Sequence, residues 1–177
     1  MNRKIINTKT ICFCGLSIAL AFICSYIKLF RLPFGGSVTL LSMFFICLPG
    51  LIYGFKLGIL SSLAFSIITF VISGYYVSIP QVCLDYFLAF GLMGACGLFI
   101  ELGADIKISF CIACVIRFIC SSISGFVFFA EYAPSTMNPI VYSIVYNATY
   151  IFAEMIITVI LLCLPPMKKV LKTIKEF

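Results

Sequence analysis

Residues 139–164 read PIVYSIVYNATYIFAEMIITVILLCL, a run bounded by proline at both ends that carries a single charge, Glu154. A helix crosses the hydrocarbon core of a bilayer in about 20 mostly apolar residues. The run therefore predicts one membrane-spanning helix, starting near Pro139 and stopping at Pro165-Pro166. Tyr142, Tyr146 and Tyr150 recur every four residues within it, which places them on one helix face. Ser143 and Asn147 repeat the spacing on the adjacent strip.

The rest of the chain has the same character. Of 177 residues 63% are hydrophobic and 10% charged, against roughly 45–50% and 25% in a soluble domain. That excludes a soluble globular protein, a disordered chain and a secreted disulfide scaffold. Proline, glycine and charge divide the sequence into spans over about 10–29, 38–55, 57–76, 81–102, 106–130 and 139–164. Pro49 marks an expected kink in the second. A Pro/Gly loop covers 31–37, a polar loop 131–138 and a basic tail 165–177. The expected fold is an all-α integral membrane protein, one six-helix transmembrane domain over 1–177 with no internal repeat. Basic residues precede the first apolar stretch, as in a signal peptide. That stretch is long enough to span and shows no small-residue cleavage site, so it reads as a retained helix.

Lysine and arginine set the expected orientation. Arg3, Lys4 and Lys9 precede the first span, Lys56 and Lys107 fall in turns on the same side, and Lys168, Lys169, Lys172 and Lys175 follow the last. Only Lys28 and Arg31 fall opposite, so both termini are expected in the cytoplasm. The bias accounts for the net charge of +6, and no nucleic-acid partner is expected. The chain has no histidine, which removes His triads, His metal sites and His proton relays. The CxxC pair Cys111 and Cys114 lies in an apolar run and reads as packing. No metal site and no enzyme activity are expected, because no nucleophile is paired with a base.

Charges inside spans cost about 2.5–3.5 kcal/mol each at a helix centre, so each is a functional candidate. Here they are Asp85, Arg117 and Glu154. Arg117 and Glu154 fall near the midplane, where they either pair with each other or serve a ligand. Asp85 lies about one turn inside the outer surface and has no basic residue at its depth. Tyr75, Tyr76 and Tyr86 cluster near it in sequence, and Arg117, Ser121, Gly125 and Phe129 share one face of the fifth span. Together with Tyr142, Ser143 and Asn147 these predict an outward-facing pocket of carboxylate, amide, hydroxyls and rings. It suits a flat, cationic heteroaromatic ligand, held by the carboxylate and by cation–π attraction. An interfacial tyrosine belt is the alternative for Tyr76 and Tyr132, and extends to Tyr142. The small residues Gly15 and Ala19, and Ser17 and Ala21, suit either packing within the bundle or docking of another membrane subunit. No phosphate-binding GxxxxGK[ST] loop is present, so transport would need an energy source on partner subunits.

These residues resemble the substrate-binding S components of energy-coupling factor transporters, in particular the thiamine-specific ThiT/YuaJ type. The markers are LPFGGS at 32–37, QVCLDY at 81–86, SGFVFF at 124–129 followed by YAP at 132–134, and YSIVYN at 142–147. The resemblance spans about residues 10–160. It implies capture of thiamine or a close relative outside the cell, and a shared transmembrane coupling subunit with two ABC ATPases that hydrolyse the ATP. No cofactor is implied on the chain itself. The family's thiamine-pairing acid falls on Asp85, its neighbouring tyrosine on Tyr86, and an upstream ring on Tyr75. Its last-helix ligands fall on Tyr142, Ser143 and Asn147, its basic residue on Arg117, and its close-approach glycine on Gly125. The coupling contact falls on Gly15 and Ala19. Two positions depart: Ser121 stands where the family has a pocket histidine, and Phe129 where it has tryptophan. These departures leave the exact vitamin open between thiamine and a thiamine precursor or analogue. The alternative function is an S component for a different small nutrient, or a solitary uptake facilitator.

Overall fold

The computed structural model describes residues 7–73 and 75–176, without the side chains of 175 and 176. Arg3 and Lys4, which enter the orientation argument, lie outside the described residues, as does the side chain of Lys175. The chain runs α1 (Thr8–Tyr26), β1 (Lys28–Arg31), β2 (Ser37–Thr39), α2 (Ser42–Tyr53) and α3 (Phe55–Ser73). It continues with α4 (Ile79–Glu101), α5 (Ile106–Phe128), α6 (Pro139–Cys163) and α7 (Pro165–Glu176).

Side chains cap the helices where the sequence breaks. Asn7 accepts from the Thr10 N–H at 2.9 Å and starts α1. Ser78 starts α4, Asp105 starts α5 and Asn138 starts α6 in the same way. α2 continues through Pro49 and ends at Gly54, whose φ of +94° suits glycine. Helices α1, α3, α4, α5 and α6 are each long and apolar enough to cross a membrane. With 12 residues, α2 is about 18 Å long at 1.5 Å per residue, short of the roughly 30 Å hydrocarbon core.

The structure corrects the all-α expectation at the first loop. Residues 28–31 and 37–39 form an antiparallel hairpin with Phe30 opposite Val38 and Arg31 opposite Ser37. The span expected over 10–29 therefore stops at Tyr26, and that expected over 38–55 starts at Ser42. Pro33 and the left-handed Gly35 (φ +98°) form a tight tip that turns the chain back. The Leu32 N–H closes this tip on the Gly36 carbonyl at 2.8 Å. Hydrophobicity alone does not separate such a strand from the end of a helix.

Within the expected basic tail, Pro165–Glu176 likewise form a helix, α7. Met167, Leu171 and Ile174 recur at helical spacing and pack against the core, with Leu171 buried, while Lys168, Lys169 and Lys172 are exposed. The lysines dominate its composition, but the apolar stripe between them decides its structure.

Glycines set how closely the central helices approach. A Cβ at Gly94 of α4 would lie 2.1 Å from the Gly58 carbonyl oxygen of α3, and one at Gly97 would lie 2.4 Å from the Gly54 carbonyl carbon. Backbone thus meets backbone where α2, α3 and α4 cross. Around this contact lies the core of Met43, Cys47, Leu51, Met93, Cys96 and Phe110. Cys114 is buried in the same core, and no group of residues suited to a metal ion occurs among the described residues. The C-terminal end of α1 and the N-terminal half of α6 reach one end of the bundle, where the hairpin sits. The start of α1 and the end of α6 therefore lie at the opposite end.

A polar and aromatic cavity under the hairpin

A cavity of about 810 Å³ opens at the hairpin end, between α1, the hairpin, α3, α4, α5 and α6. All ten residues singled out as ligand candidates line it. Asp85 and Tyr86 come from α4, Tyr75 from the segment before it, Arg117, Ser121 and Gly125 from α5, and Phe129 from its C-terminus. Tyr142, Ser143 and Asn147 come from α6.

Asp85 and Tyr86 lie in a π-helical stretch, Cys83–Leu88, inside α4. Such a turn inserts an extra residue and recurs at functional sites. The Gln81 side-chain amide donates to Asp85 Oδ2 at 2.7 Å. Gln81 is 1% exposed, so its hold on the carboxylate is sheltered from water. Glutamine one helical turn before the acid was the available sequence signal, and its role became visible only with the π turn.

The rings form a continuous stack across the mouth. Phe34 at the hairpin tip stacks on Tyr132 at 4.7 Å, Tyr132 on Phe129 at 5.9 Å, and Phe129 on Tyr75 at 6.1 Å. Three separate connections thus meet over the cavity. Tyr142 stacks on Tyr146 at 5.8 Å along the α6 wall. The Tyr146 hydroxyl accepts the Gly36 N–H at 2.7 Å and donates to the Pro33 carbonyl, which ties the hairpin tip to α6. Phe34 and Tyr146 are additions to the sequence-based set. The four-residue tyrosine repeat pointed to Tyr146, whereas Phe34 lay in the LPFGGS marker with no role of its own.

Gly125 is approached by α6: a Cβ there would lie 2.2 Å from Ser143 Oγ. Ser143 donates to the Ser122 carbonyl at 2.8 Å. The Asn147 amide donates to the Ser143 and Ser121 carbonyls at 2.9 and 3.3 Å, and its oxygen accepts from the Tyr150 hydroxyl at 2.6 Å. These polar groups therefore join α5 to α6 while also forming the cavity wall.

Arg117 and Glu154 do not form the ion pair that the sequence allowed. Glu154 is 3% exposed, and its carboxylate accepts from Thr39 N–H (3.3 Å), Thr39 Oγ1 (2.5 Å), Ser42 Oγ (3.1 Å) and Met43 N–H (2.9 Å). It caps the start of α2 from α6, where Leu41 offers no side-chain cap. Arg117 instead lays its guanidinium 4.4 Å from the Phe90 ring centroid, and its Nε is buried without a hydrogen-bond partner. Glu154→Gln keeps the shape but turns an N–H₂ toward groups that are themselves donors. The expected cost is about 2 kcal/mol, a fall of about 4–8 °C in melting temperature for a chain of this size. Thermal unfolding in detergent measures it, and an unchanged midpoint would contradict the capping role.

The partner candidates on α1 separate cleanly. Ser17 and Ala21 are buried in the bundle, whereas Gly15 and Ala19 are exposed and nothing lies within 4 Å of a Cβ at Gly15. Exposed Ile11, Leu16 and Ile23 continue that outer surface.

Five long apolar helices around one carboxylate-bearing aromatic cavity of small-molecule size define a multi-pass membrane protein. The chain belongs to the thiamine transporter protein family (Thia_YuaJ), whose model matches residues 11–174. The thiamine transporter ThiT of Bacillus subtilis strain 168 is 32% identical over 147 residues, covering 75% of this chain and 76% of the relative. A solved structure of ThiT from Listeria monocytogenes shares the fold, with a TM-score of 0.67 at 23% identity over 89% of this chain and 94% of its own. Membership makes the chain a transport protein and not an enzyme.

Proposed function

We propose that the chain is the vitamin-capture S component of an energy-coupling factor importer, binding thiamine or a close thiamine-like compound. The observation that carries this reading is the cavity itself, in a member of this family: a carboxylate, Asp85, within a wall of stacked rings. The carboxylate balances the thiazolium charge, the rings of Phe129, Tyr75 and Tyr142 supply stacking and cation–π attraction of about 0.5–2 kcal/mol each, and Tyr86, Ser121, Ser143 and Asn147 meet the polar edges of the ligand. Arg117 lies with its Nε unpaired, ready for a ligand acceptor. The cavity opens outward and both termini lie in the cytoplasm, with α2 and its extended lead-in completing six crossings of the plasma membrane of a prokaryotic cell. The exposed Gly15 and Ala19 face receives a transmembrane coupling subunit, and two ABC ATPases bound to that subunit hydrolyse the ATP. The chain itself holds no cofactor.

A ligand panel tests the assignment. Thiamine and pyrithiamine are expected to quench the tyrosine fluorescence of the purified protein, the hydroxyethylthiazole moiety weakly, and riboflavin not at all. Binding of an unrelated nutrient in place of thiamine would redirect the assignment to another S component. Concentrative uptake by vesicles containing this chain alone would contradict the need for partners.

A further inference from the structure

The geometry of α3 against α4 assigns a role to a residue that does not line the cavity. We infer that Ser66 is a positioning residue that holds the π turn of α4, and through it keeps the Asp85 carboxylate aimed at the ligand. The inference rests on the thiamine reading above.

A π turn is less favourable than the α-helix into which it would relax, because its backbone pairing is displaced by one residue. Here the Ala89 N–H reaches back to the Leu84 carbonyl, five residues away. Something must hold that register. The Ser66 hydroxyl, 0% exposed, reaches the Tyr86 carbonyl inside the turn at 2.9 Å, with the Ser62 carbonyl of its own helix at 3.0 Å. One turn earlier on α3, Ser62 donates to the Gly91 carbonyl at 2.6 Å, just beyond the π stretch. Two hydroxyls of one helix thus grip its neighbour within the distorted segment and just past its C-terminal end.

The same helix holds the side chain of Tyr86. Phe70 packs edge-on against its ring at 5.2 Å, and Ser73 hydrogen-bonds its hydroxyl at 2.8 Å. Carbonyl, ring and phenol are all fixed by α3, and Asp85 is the preceding residue. Collapse of the π turn to α geometry would rotate one flank by about 100°, the angle per residue of a helix with 3.6 residues per turn. That swings the carboxylate away from its place beside Gln81.

Ser66→Ala tests this with two readouts on the purified full chain. In the ligand-free protein, amide hydrogen exchange over residues 83–91 should rise about tenfold, the effect of losing one buried hydrogen bond. The thiamine dissociation constant should rise by a similar factor, while that of a neutral isostere, with thiophene in place of thiazolium, should rise distinctly less. A merely structural role would weaken both ligands equally, and that result overturns the inference. Unchanged exchange overturns it as well, whatever binds. Should the wild type fail to bind thiamine while exchange in the variant still rises, the thiamine reading falls and the brace stands. If the alanine variant does not fold, Ser66→Cys fills the same space with a weak donor and carries the same comparison.

Discussion

Gly94→Ala is expected to abolish the folded bundle. The added methyl would sit 2.1 Å from the Gly58 carbonyl oxygen, 2.3 Å from its carbon and 2.4 Å from Ser62 Oγ. Two of these atoms are backbone, so the clash cannot be relieved by a rotamer change, and α3 and α4 must move apart. Separation would also break the Ser62 bond to Gly91 and loosen the contact of Gly50 with Gly94. Overpacking a close-packed interior typically costs about 1–3 kcal/mol, and backbone-to-backbone contact lies at or above the top of that range. The variant should elute as aggregate or melt far below the wild type in detergent. Gly15→Ala in the same assay should be neutral, since its Cβ meets nothing within 4 Å. Equal melting of Gly94→Ala and wild type would show that the helices do not meet as described.

Asp85→Asn should reduce thiamine affinity about a hundredfold or more while leaving the bundle intact. Removing one partner of a sheltered charge pair costs about 2–5 kcal/mol, chiefly because the other charge remains unpaired. The substitution conserves shape, and Gln81 can still bond the side-chain oxygen, so the effect isolates the charge. A neutral analogue of the ligand should bind the variant and the wild type with similar affinity. The opposite pattern, with thiamine unaffected, would move the cation site elsewhere in the cavity.

The sequence made the spans legible because each long helix is a nearly unbroken apolar run ended by proline, glycine or charge. It also pointed to the cavity: polar residues in an apolar span are costly, so Asp85, Arg117, Ser143 and Asn147 stood out. What it hid depends on contacts between distant segments. The strands of the hairpin over 28–39 are too short to show a pattern of their own, and its tip is held by Tyr146, 110 residues after Gly36. Arg117 and Glu154 sit at similar depth and invite pairing. Glu154, however, faces the uncapped start of α2, whereas Arg117 faces Phe90. The lysines of α7 masked the Met167, Leu171 and Ile174 stripe that docks it. Gln81 and Ser66 gain their roles from a π turn that no residue pattern announces.

In the proposed function this cavity captures thiamine through the Asp85 carboxylate. Calorimetric titration of thiamine into purified wild-type protein and the Asp85→Asn variant tests it most directly. The expected result is a one-to-one isotherm with nanomolar affinity, roughly −12 kcal/mol, and a loss of about 3 kcal/mol in the variant. No heat of binding to a properly folded wild type, or identical isotherms for the two proteins, would contradict it.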